Sequence, residues 1–135
     1  MPASQANIQT PPDTVASLKS DRKVQRGLLT RNFNKLDALL NDFNNQPDKQ
    51  IAYDEIQDIY HVITQRRSKL QDIDTQLHGQ MITEKVDEGD REKDVEEASE
   101  HLDELLMKAN RFQRRIDAIA PQMQAPVIAA TQRSS

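Results

Sequence analysis

Few side chains in this sequence have the type and spacing to do chemistry. There are three histidines, His61, His78 and His101. Asp58-x-x-His61 has the spacing that carboxylate-bridged metal bundles use, but those sites repeat the motif and add two inward glutamates. No second copy occurs here, so the reading is no metal site and solvent-facing histidines. Ser17, Ser20, Ser68 and Ser99 lack the strand-turn-helix setting, partner base and oxyanion donors that nucleophilic catalysis requires. The three glycines, Gly27, Gly79 and Gly89, form no phosphate-cradling loop. Cysteine and tryptophan are absent, which excludes a disulfide framework, a zinc finger and a thiol nucleophile. The expectation is a chain that is not an enzyme, holds no cofactor and takes no small-molecule substrate.

Charge is the stronger signal. The formal net charge is −4, a poor starting point for binding nucleic acid. Its distribution is uneven. Lys19, Arg22, Lys23, Arg26, Arg31 and Lys35 accompany a single acid, Asp21, whereas Glu84 to Glu104 holds eleven acids and three bases. The six cations form a candidate basic contact for RNA or an anionic membrane surface. The plainer reading sets them near the acidic half of a later helix or in solvent. No aromatic residue is interleaved before Phe33, so base stacking has little support and nucleic acid is the weaker partner. No apolar run of 18 residues occurs, so no membrane span is expected. Met1 to Gln5 carries no secretory signal, and a cytoplasmic location follows as the default.

These residues need helices to position them. With 135 residues, 36% of them hydrophobic, the chain suits one domain. Residues 1–12 and 121–135, polar and proline-bearing, read as disordered tails around a three-helix domain at 13–120. The first helix starts at Asp13 or Thr14, either a suitable cap. Its apolar stripe is Leu29, Phe33, Leu36, Leu40 and Phe43, stepping by four and three. Upstream, the same stripe falls on Gln25 and Arg22, and Gly27 weakens the helix further. Pro47 suits the first turn of a second helix capped by Asn45 or Gln46. That helix carries Ile56, Ile59, Ile63, Leu70, Ile73 and Leu77, with Arg66 as the interruption. Asp87-Glu88-Gly89-Asp90 marks the next turn. The third helix carries Val95, Ala98, Leu102, Leu105, Ala109, Phe112, Ile116 and Ile119 as a heptad seam.

The fold class is therefore all-α: a long antiparallel helical hairpin, or coiled coil, with a third N-terminal helix. Folding the two seams about the Asp87-Glu88 turn pairs Leu77 with Ala98, Ile73 with Leu102, Leu70 with Leu105 and Ile63 with Phe112. Arg66 then faces small Ala109 and runs its stem along the seam to water. Phe33, Phe43 and Phe112 are core positions, and Tyr53 and Tyr60 line the contact with the first helix. The first helix can bury its stripe in its own hairpin or on another chain, so the stripe is also a candidate interaction surface. Acids early in the third helix and Arg111, Arg114 and Arg115 late in it complement its dipole.

The run Leu18-Lys19-Ser20-Asp21-Arg22-Lys23-Val24-Gln25-Arg26-Gly27-Leu28-Leu29-Thr30-Arg31 has a spaced basic pattern ending in Arg-Gly-x-Leu-Thr-Arg. It resembles the N-terminal, Gag-like region of Bel/Pao-type retrotransposon polyproteins. The acidic turn Asp87-Glu88-Gly89-Asp90 and the opening Val95-Glu96-Glu97-Ala98-Ser99-Glu100-His101-Leu102 are similar too, and the resemblance spans about residues 15–119. It implies an assembly and interaction module. The zinc knuckles, protease, reverse transcriptase and integrase of those polyproteins have no counterpart in this sequence, so neither genome packaging nor any catalytic residue carries over.

The expected function is a non-catalytic helical module of retroelement origin that binds itself or another helical protein. A cytoplasmic coiled-coil adaptor of a trafficking or tethering complex is the alternative, and an RNA-binding helical module the third.

Overall fold

The computed structural model describes residues 13–134, and of residues 124–134 the backbone alone. The fold is all-α: α1 spans Val15–Asn41, a short 3-10 turn spans Phe43–Asn45, α2 spans Lys49–Thr83 and α3 spans Glu88–Ser134. The expected tail at 1–12 lies outside the described residues.

Local chemistry sets each helix end. Thr14 caps α1, and a capping box closes there. The Thr14 hydroxyl accepts from the Ser17 backbone N–H at 3.0 Å, and Ser17 Oγ accepts from the Thr14 N–H at 2.9 Å. The cap of α2 is Asp48, whose carboxylate accepts from the Ile51 N–H at 3.1 Å. This corrects the expected cap at Asn45 or Gln46. Pro47 holds Gln46 in extended backbone (ψ 133°), so the helix starts after the proline, at the first residue with a capping carboxylate.

The turn between α2 and α3 also falls elsewhere than expected. It occupies Glu84 to Asp87, and the expected turn residues Glu88, Gly89 and Asp90 already belong to α3. Lys85 takes the left-handed conformation, with φ 59°. Its N–H bonds the Ile82 carbonyl at 3.1 Å, and the Val86 N–H bonds the Met81 carbonyl at 2.9 Å. This is a Schellman ending, and Val86 packs on the apolar cluster that contains Met81, as that motif favours. Because the turn comes early, the α2–α3 pairing slides by about one helical turn from the expected register. His78 meets Asp94, and Arg67 donates to the Leu102 carbonyl from both Nε and Nη2 at 3.2 Å. Val95, expected in the seam, is 43% exposed, and Leu102 is only half-buried.

The first helix packs within its own chain, mainly on α2. It runs parallel to α3, since the Val15 N–H donates to the Glu84 carboxylate at 2.8 Å beside the α2–α3 turn. Leu29, Phe33, Leu36, Leu40 and Phe43 are all buried, in one cluster with Ile56, Ile63, Leu70, Leu105, Ala109, Phe112 and Ile116. The stripe is therefore core and not an open interaction surface. Fully burying each such side chain is worth about 1.5–3 kcal/mol, which an isolated hairpin would forgo. Phe33 stacks on Phe112, centroids 5.5 Å apart, joining α1 to α3. Tyr53 and Tyr60 pack on the same cluster, and burial, then the Asp117 charge, raise the Tyr60 pKa.

Past Pro121 the backbone is helical to Ser134. The proline lacks an N–H and gives up the bond to the Asp117 carbonyl. Met123 packs against the main core cluster.

The left-handed Lys85 costs about 1 kcal/mol that glycine would not. Lys85→Gly should therefore raise the stability read by urea unfolding by roughly that amount. An unchanged or lower midpoint would show that the Lys85 side chain contributes what its backbone loses.

Candidate functional site

Between the main core and a smaller cluster of Leu18, Ile73, Leu77 and Met81 lies a layer of polar residues. The first helix supplies Arg22, Gln25 and Arg26, where its apolar stripe is interrupted between Leu18 and Leu29. The second supplies Arg66, Asp74 and His78, and the third supplies Asp94 and His101.

Arg22 grips Asp94 as a fork, Nη1 to Oδ2 at 2.8 Å and Nη2 to Oδ1 at 3.0 Å. His78 Nε2 lies 2.8 Å from the same Oδ2. Burial works against the Asp94 charge, but the hydrogen bonds from Arg22 and His78 outweigh it and hold the pKa below the usual carboxylate range. An ionised Asp94 only accepts, which assigns the Nε2 proton to His78. The hydrogen bond to Asp94 likewise raises Arg22 against its own burial.

Asp74 is the anomaly. It is 3% exposed, and its nearest cation, Arg22, stands at 3.6 Å, an ion pair without a hydrogen bond. Neither carboxylate oxygen has a hydrogen-bond partner. Burial pushes its pKa up, and Arg22, Arg26 and His78 only partly offset this. Arg26 is desolvated beside Arg22, which lowers its pKa. Arg66 donates to Gln25 Oε1 at 3.4 Å, while its Nε is buried without a partner. Its head thus turns towards α1 and not, as expected, along the seam with Ala109.

Two of the three histidines depart from expectation. His61 is exposed, but His78 is half-buried in the ion pair. His101 is half-buried with Nε2 enclosed and unpartnered, and burial, then Arg26, lower its pKa.

The basic stretch divides. Arg22 and Arg26 face the layer, and Lys19, Lys23, Arg31 and Lys35 stay exposed. The acidic half of α3 thus receives part of the basic face of α1, through Asp94. The signal for this layer was the Arg22–Gln25 break in the stripe, which reads from sequence as weak amphipathy. Nothing in the sequence singles out Asp74, His78, Asp94 or His101 as its partners, because they come from two other helices.

Chemically the layer is a partly buried ion-pair network. Among the described residues no group of three His, Asp or Glu side chains is placed to hold a metal ion. Among the described residues the surface depressions are open grooves, one of them between α1 and α2 over Leu18, Val24 and Ile73. No helix is long and apolar enough to cross a membrane among the described residues. Comparison with protein-family models, curated proteins and solved structures finds no match for this chain.

The two acids should respond oppositely to removal of charge. Asp94→Ala strands Arg22 and should cost about 3 kcal/mol in urea unfolding. For Asp74 a raised pKa means that the carboxylate form disfavours the fold, so Asp74→Asn should leave the midpoint at neutral pH unchanged or higher. A loss matching that of Asp94→Ala would mean Asp74 is fully compensated. His101 sets a pH slope. Its folded pKa lies below the ordinary 6.5, so the unfolded chain binds the proton first and stability falls as pH drops below that value. Wild-type protein should lose more stability than His101→Gln between about pH 7 and pH 5, and parallel curves would contradict the neutral, enclosed ring.

Proposed function

We propose that this chain is a non-catalytic helical assembly module that associates with a second copy of itself or with another helical protein. The observation that carries the reading is the outer face of α3. With α1 bound in its own chain, Leu106 and Met107 remain 43% and 54% exposed, flanked by charges without an ion pair among the described residues. The Gag-like resemblance of residues 15–119 agrees with an assembly role and with a retroelement origin. The RNA-binding reading is weaker, since Arg22 and Arg26 are engaged inside the bundle. A cytoplasmic setting suits the assembly reading and the adaptor alternative alike.

Sedimentation equilibrium over a wide concentration range at moderate salt tests this proposal. The expected result is a monomer that gives way to a dimer or larger species as concentration rises. A monomer throughout would overturn self-assembly and favour the adaptor reading, with a different helical protein as partner.

A further inference from the structure

Resting on the self-assembly reading, we infer that the outer face of α3 pairs with the same face of a second copy, antiparallel, about a two-fold axis at Met107. One row of exposed residues runs along this helix: Glu100, Asp103, Met107, Arg111 and Arg114. The steps are three, four, four and three, so the row keeps to one side of the helix. The same side continues through exposed Glu96 and Lys93 before these five and Ala118 after them, and the five central residues are symmetric about Met107. Two acids precede it and two arginines follow at matching distances. Leu106 borders the row and adds a second exposed apolar side chain. Among the described residues none of the four charged members makes an ion pair within the chain.

An antiparallel second copy centred on Met107 sets Asp103 opposite Arg111 of that copy, and Glu100 opposite Arg114. The symmetry repeats both pairs, giving four ion pairs around the paired Met107 side chains, with Leu106 on the flank. A parallel copy would set acid against acid and arginine against arginine, so the charge order selects one orientation. The face points away from α1 and α2, whose contacts with α3 run through Ala98, Leu105, Ala109, Phe112 and Ile116 on its other side. Helix-dipole complementarity explains acids early and bases late, but not their mirrored spacing about an exposed methionine.

Sedimentation of charge-reversed variants tests the pairing. Arg111→Glu with Arg114→Glu, and separately Glu100→Arg with Asp103→Arg, should each weaken self-association at least about tenfold. An equimolar mixture of these two variants should associate again, as a heterodimer whose facing rows have opposite charge. The chain has no cysteine, so Met107→Cys should yield a disulfide-linked dimer on mild oxidation, while Ser20→Cys on α1 should not. Self-association that all these variants leave unchanged would overturn the α3 pairing while the assembly reading stands. The same holds if the mixture fails to restore it or if Met107→Cys does not cross-link. A wild-type chain that stays monomeric would overturn both the pairing and the self-assembly on which it rests.

Discussion

The fork from Arg22 to Asp94 is the contact on which the arrangement of the three helices depends. Parallel helices α1 and α3 both lean on α2 and approach each other closely at few points. Near the α2–α3 turn they are joined by this fork, with His78 of α2 on the same carboxylate. Near the opposite end they are joined by the Phe33–Phe112 stack and by Arg115, which donates to Asp37 at 2.7 Å and to Asn41 at 2.8 Å. An apolar stripe tolerates sliding by a turn, because one heptad looks like the next. A two-pronged, partly buried ion pair does not, since a slip would strand both charges at a cost of several kcal/mol. The fork therefore supplies the register that the hydrophobic seams leave loose.

The charge layer also divides the interior. Apolar packing from Leu29 and Leu70 towards the open end is continuous through all three helices. On the other side, Leu18, Ile73, Leu77 and Met81 form a smaller cluster closed by Val15 and Val86. Between them sits Asp74, a carboxylate that the fold encloses without giving it a hydrogen-bond donor. Such a group weakens the bundle and suggests that specificity of helix placement, more than stability, accounts for this layer. It leaves the turn end of α1 held by this small cluster and a few polar contacts, the Glu84 link to Val15 among them, while the remainder of that helix packs on the larger core.

That division bears on function through what remains outside. The bundle satisfies the conspicuous stripe of α1 internally, and with it the most obvious docking surface in the sequence disappears. Four of the six cations of the basic stretch stay in solvent, and two become structural. Exposed apolar side chains remain singly on α1 and α2, at Val24, Ile51 and Ile82, while on the outer face of α3 apolar exposure is modest but charge is ordered. Association through such a face draws its specificity from charge order and its strength from the small apolar centre, so it would be sensitive to salt.

Much of the fold was legible from spacing alone. Three-four periodicity picks out three helices and their apolar faces, because a helix must bury one side whatever it packs against. Phe33, Phe43 and Phe112 follow from that rule and are buried as expected. Capping chemistry at Thr14 is equally local. The turn at Lys85 was not legible, since a left-handed lysine leaves no mark of the kind Gly89 appeared to offer. The register, the fate of the α1 stripe and the partners of Arg22 required the tertiary structure. Each depends on which side chains from three distant segments meet, and on where a buried charge finds its counterion. Sequence by itself determined which faces must be covered; only the folded chain decided what covers them, because periodic apolar faces are nearly interchangeable and buried charges are not.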